Sequence, residues 1–421
     1  MHLSKFAVKG FTNKTFLPLY SCAFQVHSSK WGVTCVQHKS YSVAPGKKPD
    51  FNKAVSEAEK VVGYPTSFLS LRWLLSDEMA NIALLLRRLI GTNHPLLKTA
   101  KGLLYNGRYS TQAWGLIVLL VSKAAGYTSS IQDMEEDKAA GVLHSQRILA
   151  EVTEMIKTSH LVHKGMINLH SSKTTVDKIG DMLYGNKMAI LSGDYLLSNC
   201  CSELAGLRNQ ELNELISSAL RDLIEAEFIG PRDKQNKPLP SRPHAKPIEY
   251  TITSQNNKEP MLVSDALGNA RAEWTLRHVL NTASLLGKSC QGTLMLAGHS
   301  MELQERGYLF GKHLALAWQA CLDRQPFTIG STGPFDLVCA PVAFHLQHDP
   351  GMYAEIESGM NDIEDVNFEK IRQEVLKGPG LEKTKQLQIE HSNAALDVLE
   401  YLPPSDARSA LANIIAAMQD L

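Results

Sequence analysis

Apolar residues recur along most of this chain with the period of an α-helix, and strand-like alternation is scarce. Between Gln146 and Leu169 the apolar positions follow a period near 3.6 residues, and a similar pattern runs from Ser300 to Leu322. Few segments are polar all round, which is typical of helices packed inside a large bundle, so we predict an all-α, single-domain helical bundle. Further helices are predicted near residues 76–90, 112–125, 187–206, 210–228, 264–288, 367–377 and 391–420.

Six prolines interrupt the helical pattern between Pro231 and Pro260. Proline at this density is incompatible with a helix, because it lacks the backbone N–H and clashes with the preceding turn. We therefore expect a surface loop or disordered insertion at about 231–260, within one domain that spans residues 49–421.

The first 48 residues differ in composition from the rest. The segment from Met1 to Pro49 contains seven lysines but no aspartate or glutamate, and Asp50 is the first acid. An acid-free segment rich in lysine and hydroxyl side chains is typical of an organelle transit peptide, although this one lacks arginine. We predict a transit peptide over residues 1–48 and import into the mitochondrial matrix. The alternative is a disordered basic tail.

Charge and cysteine usage exclude several classes of protein. Lys and Arg (43) balance Asp and Glu (43), which gives no electrostatic reason to expect nucleic-acid binding. The seven cysteines show no CxxC spacing, so neither a zinc ribbon nor a disulfide scaffold is expected. The longest apolar run, Trp114 to Val121, is far shorter than the roughly 20 residues of a membrane span, so no transmembrane segment is expected.

Four short stretches carry a family resemblance. They are HPLL at 94–97, GNKMAILSGDYLL from Gly185, FGKHLALAWQ at 310–319 and LPPSDARSAL at 402–411. In this order they resemble the trans-polyprenyl diphosphate synthases, over roughly residues 55–421. The stretch VVGYPTSFLSLRWLLSDEMANIA at 61–83 is similar to the second subunit of the decaprenyl diphosphate synthases. The resemblance implies the isoprenoid-synthase type of helical bundle, which elongates an allylic diphosphate with isopentenyl diphosphate.

The resemblance also implies magnesium chemistry, for which the family uses two Asp-Asp-x-x-Asp motifs on facing helices. The first motif falls in LVHKGMINL, where Lys164, Gly165 and Asn168 occupy the three aspartate positions. Mg²⁺ requires oxygen ligands. Lysine has the wrong charge, glycine has no side chain, and asparagine is a weak neutral ligand, so we expect no metal at this motif.

The second motif falls in AWQACLDRQPF and is also degenerate. Leu322, Asp323 and Pro326 occupy its aspartate positions, which leaves one carboxylate of three. We expect Asp323, a single acid near the end of a helix, to be solvated at the surface rather than to bind Mg²⁺.

The cationic groups that hold diphosphates in the family are depleted as well. Ala113 and Trp114 take the positions of an arginine and a proline, and Asn281 takes that of a lysine. No arginine lies between Asn168 and Gly185. Without metal, neither ionisation of the diphosphate nor neutralisation of its charge is available. The sequence therefore predicts no catalytic residue and no metal or cofactor in this chain.

Three family residues remain as candidates for substrate binding, namely Lys187, Asp194 and Gln319. The structural alternative for the first two is that their motif shapes the start of a helix, with Gly185 before it and Asn186 as its N-cap.

An intact helical body with an erased site favours a non-catalytic subunit that pairs with a homologous catalytic chain, as a heterodimer or heterotetramer. The resemblance implies that such a complex uses farnesyl or geranylgeranyl diphosphate with isopentenyl diphosphate to make the ubiquinone side chain, with Mg²⁺ in the catalytic partner. Two alternatives stay open. One is an isoprenyl transferase that is active alone, and the other is a scaffold that binds a prenyl lipid.

Overall fold

The computed structural model describes residues 50–63, 94–96, 114–129, 131, 136–137, 141–168, 176–244, 263–328 and 330–419. Its helices are α1 (Phe51–Val62), α2 (Trp114–Ala125), α3 (His144–His163), α4 (Val176–Gly206), α5 (Gln210–Glu225), α6 (Val263–Ala266), α7 (Ala270–His278), α8 (Ser284–Leu296), α9 (Met301–Arg324), α10 (Ala340–His348), α11 (Tyr353–Glu357), α12 (Phe368–Lys377), α13 (Gly380–Leu399) and α14 (Asp406–Gln419). A π-helical segment, Val279–Ala283, joins α7 to α8. Short 3-10 helices cover Ala226–Phe228, Gln325–Phe327, Pro350–Met352, Ser358–Met360 and Ile363–Asp365.

The prediction of an all-α fold is confirmed. Within the described ranges the only paired strands are β1 (Glu136–Asp137) and β2 (Val142–Leu143), which form an antiparallel hairpin before α3. The helices of this part of the chain include none that is long and apolar enough to cross a membrane. The predicted transit peptide and the predicted helix near 76–90 lie outside the described residues.

The first helix is fixed at both ends and against the core. The Asp50 carboxylate accepts from the Asn52 backbone N–H at 3.0 Å, and Gly63 ends α1 with a φ of 99°. Phe51 is buried and stacks on Trp318 of α9, with ring centroids 4.8 Å apart. Trp318 is half-buried and packs against the core through this contact.

The main core surrounds α2, which is apolar on every face and buried from Trp114 to Ser122. Helix α9 is the other central element and packs against α8 and α13. A second, smaller core lies beyond the end of α9 and gathers buried side chains from α10, α11 and α12. Leu239, from the proline-rich insertion, is 1% exposed within this second core.

Three helix boundaries differ from prediction in ways that matter for the site. Helix α3 ends at His163 rather than near 169, and α4 begins at Val176 rather than near 187. The predicted helix over 391–420 is two helices, α13 and α14, separated by the turn at Pro403 and Pro404. The described part of the insertion is irregular, as its prolines predict, but it is packed rather than loose.

Candidate functional site

The degenerate first motif follows the end of α3 and is not helical. Lys164 caps α3, with its backbone N–H donating to His160 O at 3.0 Å, and Gly165 N–H donates to Val162 O at 3.0 Å. The i, i+1, i+4 spacing gathers side chains only on a helix face. Lys164, Gly165 and Asn168 therefore lie along a turn, where that spacing no longer brings them together.

Lys164 is held by other side chains of the same site. Its Nζ donates to Asn281 Oδ1 at 2.9 Å and lies 3.4 Å from Glu227 Oε1. His160 Nε2 lies 2.9 Å from the same Asn281 oxygen. Burial, with the nearby Lys164 ammonium, lowers the pKa of His160 to about 4, so its imidazole is neutral at pH 7. The first motif thus presents the ammonium group of Lys164 beside the neutral imidazole of His160. The ammonium group repels a metal cation.

Asp323 is buried, and the expectation that it is a solvated surface acid is wrong. Its Oδ2 accepts from Trp274 Nε1 at 2.7 Å and from the Ala340 backbone N–H at 2.8 Å. Its Oδ1 accepts from Gln319 Nε2 at 2.7 Å. Burial raises the pKa of Asp323 to about 6, against the opposing effect of these hydrogen bonds.

These contacts give Asp323 a structural role. Ala340 is the first residue of α10, so the carboxylate lies at the positive end of that helix and joins it to α7 and α9. Leu322 contributes no ligand, and the carbonyl of Pro326 accepts from Arg372. The donor set does not fit Mg²⁺, because the one carboxylate of the motif already accepts from three protein donors.

The retained GNK motif lies inside α4, so the reading of Gly185 as preceding the helix and Asn186 as its N-cap is wrong. Asn186 Oδ1 accepts from the Ile167 backbone N–H at 3.0 Å, and its Nδ2 donates to Ile167 O at 2.7 Å. His94 Nδ1 accepts from Leu96 N–H at 3.1 Å, so the ring proton is on Nε2, 3.1 Å from Asn186 Oδ1. One amide side chain thus ties the first-motif turn and the 94–96 segment to α4.

Further along the same retained stretch, Gly193 and Asp194 contact α3. Asp194 Oδ1 lies 3.3 Å from His163 Nε2, and Ser159 Oγ donates to Gly193 O at 2.9 Å. Gly193 has no side chain, and a Cβ there would collide with the His163 ring. The motif that survives is therefore the one that fixes α4 against α3 and the turn, and these packing contacts explain its presence without any ligand.

Gly185→Ala is expected to destabilise the protein, by about 1–3 kcal/mol, because the added Cβ would collide with the buried His94 ring. Gly180→Ala is the matched control on the same helix, since a Cβ there meets nothing within 4 Å. The control is expected to stabilise α4 by about 0.5–1 kcal/mol. Thermal unfolding of both variants checks this, and equal stabilisation by both would contradict the packing of His94 against α4.

The structure brings some sequence-predicted residues together and separates others. Gln319 meets Asp323, and Lys164 meets Asn281. Lys187 is exposed on α4 and makes no hydrogen bond or ion pair within the described part of the chain. Nor do the described residues contain any group of three or more His, Cys, Asp or Glu side chains that could hold a metal ion.

Sequence reasoning missed two interacting residues of α3, the buried Glu154 and the half-buried Lys157. Glu154 Oε1 accepts from the Gly115 backbone N–H at 2.6 Å, at the start of α2. Burial raises the pKa of Glu154 and lowers that of Lys157 to about 8. The Lys157 ammonium lies 4.1 Å from the centre of the Trp114 ring. The available signal was Trp114 itself, which stands where the family has proline, together with two oppositely charged residues spaced i, i+3 on α3.

Solved structures define the class of fold. A polyprenyl synthase from Caulobacter crescentus, complexed with calcium and isoprenyl diphosphate, matches 90% of this chain and 99% of its own with a TM-score of 0.57 at 17% identity. A decaprenyl diphosphate synthase from Rhodobacter capsulatus matches 86% and 99% with a TM-score of 0.53, also at 17% identity. The chain thus has the helical fold of the isoprenyl diphosphate synthases.

Sequence relatives define the family. The chain is 40% identical over 373 residues to the mouse all-trans-polyprenyl-diphosphate synthase PDSS2, covering 87% of each chain, and 39% identical to the human protein of that name. It is 27% identical to a probable mitochondrial hexaprenyl pyrophosphate synthase of Yarrowia lipolytica, covering 89% of this chain and 90% of that one. No family model matches the chain. The chain belongs to the trans-polyprenyl diphosphate synthase family, whose members are prenyltransferases.

Proposed function

We propose that this chain is the non-catalytic subunit of a heteromeric all-trans-polyprenyl diphosphate synthase in the mitochondrial matrix. Its partner is a homologous chain that keeps both aspartate motifs and binds Mg²⁺, in a heterodimer or heterotetramer. The complex condenses farnesyl or geranylgeranyl diphosphate with isopentenyl diphosphate to make the ubiquinone side chain. The mitochondrial assignment is supported by the acid-free first 48 residues and by relatives named as mitochondrial.

The observation that carries this proposal is the state of the two motifs. The first presents Lys164 bonded to Asn281, and the second presents Asp323 bonded to three protein donors. A metal-dependent active transferase would need carboxylates free to converge on Mg²⁺. These contacts support a chain that keeps the helical fold of the family while its partner carries out the reaction.

An exposed apolar surface supports a protein partner. On α4 the side chains of Leu183, Ile190 and Leu191 are 55%, 44% and 52% exposed, and at the end of α5 Ile224 and Phe228 are 53% and 78% exposed. Large side chains on one helix face that remain in water mark a surface for another protein. We assign this surface, called here the α4–α5 face, to the catalytic homologue.

The test is a paired assay with labelled isopentenyl diphosphate, farnesyl diphosphate and Mg²⁺. We expect the purified chain to make no product, and the same chain co-expressed with the catalytic homologue from its own organism to make long-chain product. Robust turnover by the chain alone would support an independently active transferase instead. A prenyl-lipid scaffold would bind a labelled prenyl chain alone and leave the activity of the homologue unchanged.

A further inference from the structure

One exposed stripe of α4 carries two charged side chains among its apolar ones. The residues of this stripe recur at the three- and four-residue spacing of a single helix face, and they are Leu183, Lys187, Ile190, Leu191 and Asp194. Lys187 and Asp194 lie at i and i+7, which is two helical turns or about 10 Å along the axis. The α4–α5 face is thus not uniformly apolar, because a cation and an anion stand in it at a fixed separation.

Lys187 has no counter-charge on its own helix. Its neighbours three and four residues away include no acid, and they are Leu183, Tyr184, Ile190 and Leu191. Among the described residues its ammonium group has no hydrogen-bond or ion-pair partner. Moving a charge from water into an apolar interface is strongly unfavourable unless the charge is paired. A chain that covers this face must therefore supply an anion beside Lys187.

Asp194 makes the opposite demand. Its neighbours three and four residues away include no cation, and they are Ile190, Leu191, Leu197 and Ser198. Its Oδ1 lies 3.3 Å from His163 Nε2 of α3, yet the Asp194 side chain remains 60% exposed. The covering chain must therefore also supply a cation, two helical turns away from the anion that it supplies to Lys187.

A second helix with the same charge pattern meets both demands when it lies antiparallel to α4. In a pair of chains related by a two-fold axis, if one position contacts another, the second contacts the first in return. An axis halfway between Lys187 and Asp194 places each lysine opposite the aspartate of the other helix. Ile190 and Leu191 then lie at the axis and meet their own equivalents. The exposed charges and the exposed apolar side chains of α4 are thus matched in one register.

We propose that α4 pairs antiparallel with the equivalent helix of the homologous catalytic chain, and that Lys187 and Asp194 form reciprocal ion pairs across this interface. Both residues belong to the retained stretch GNKMAILSGDYLL, and the family resemblance places the same two residues in a catalytic homologue. The self-complementary order of charges favours a homologous chain over an unrelated protein. The inference rests on the proposed function and deepens it, because it specifies the register of the α4–α5 face.

Charge reversal in the purified pair of chains tests the register. Lys187→Glu is expected to raise the dissociation constant of the pair about tenfold or more, because it places two carboxylates opposite each other. Reversal to lysine of the homologue's equivalent of Asp194 is expected to restore pairing with this variant to within about threefold of wild type. The matched control is Lys383→Glu, at an exposed position of α13, which is expected to pair as wild type. Sedimentation of the mixed chains without substrate measures the dissociation constants.

Equal pairing by Lys187→Glu and Lys383→Glu would overturn the proposed register, and so would a loss that the reversal in the homologue does not restore. If the purified chain alone forms a dimer that Lys187→Glu dissociates, while pairing with the homologue is unchanged, a second copy covers α4 and the proposal is wrong. These outcomes concern the register and leave the proposed function standing. The proposed function fails instead if the wild-type chains do not pair, or if this chain makes product alone.

Discussion

Arg277→Ala is expected to lower the free energy of unfolding by about 3–5 kcal/mol, because it removes one partner of a buried ion pair. Arg277 and Glu273 have side chains only 6% and 9% exposed, and Arg277 Nη2 lies 2.8 Å from Glu273 Oε1. Alanine would leave a carboxylate buried without its cation. It would also leave the carbonyls of Ile229 and Leu239 without a donor. Urea unfolding monitored by circular dichroism measures the loss.

Arg221→Ala provides the control, because this arginine is 64% exposed on α5 and its removal is expected to change stability by less than about 0.5 kcal/mol. Glu273→Ala combined with Arg277→Ala removes both charges of the pair. The double variant is therefore expected to lose less than the sum of the two single variants. A loss below about 1 kcal/mol for Arg277→Ala would show that α7 and the segment 229–239 do not depend on this pair.

The helical fold was predictable because its signal is local. Apolar residues at helical spacing identify α3 and α9 from the sequence, and the prolines after Pro231 identify where helix stops. The ends of the helices were harder to predict from the sequence. Helix α4 begins well before its apolar pattern becomes clear, and α3 ends at His163 although the pattern continues to Met166, which is 40% exposed.

The replacement of the motifs' aspartates is visible in the sequence itself, since the ligand chemistry of a side chain belongs to its residue type. Lysine and glycine cannot replace aspartate in any surroundings. The burial of Asp323 could not be read in the same way. It depends on Trp274, about fifty residues earlier, and on the start of α10 packing over the end of α9. A single acid at a helix end is exposed only when no other element covers it, and that is a tertiary property.

The survival of the GNK motif illustrates the same difference between chemistry and packing. In this chain Asn186 bonds to the first-motif turn and Asp194 contacts α3, while Lys187 is exposed to solvent. These contacts would be needed whether or not a diphosphate is bound. A motif that serves both packing and ligand binding can keep its sequence for packing after the ligand is lost. Its presence alone is therefore a poor sign of activity.

Leu191→Asp is expected to weaken binding to the proposed catalytic homologue by at least about thirtyfold, the scale of an interface residue worth 2 kcal/mol or more. Leu191 is 52% exposed on α4, so the chain itself should fold with an unchanged unfolding temperature. In the complex, the carboxylate would be buried among apolar side chains without a partner, which is strongly unfavourable. Co-purification and product formation by the pair, measured at low subunit concentration, should fall together.

Leu376→Asp is the matched control, because Leu376 is 50% exposed on α12, outside the α4–α5 face. It introduces the same charge at the same level of exposure, so any difference between the variants reports position rather than hydrophobicity. Loss of pairing for Leu191→Asp alone supports the α4–α5 face as the contact with the catalytic chain. Normal pairing and product formation by Leu191→Asp would place the partner elsewhere, and the apolar side chains of α4 and α5 would then require another explanation.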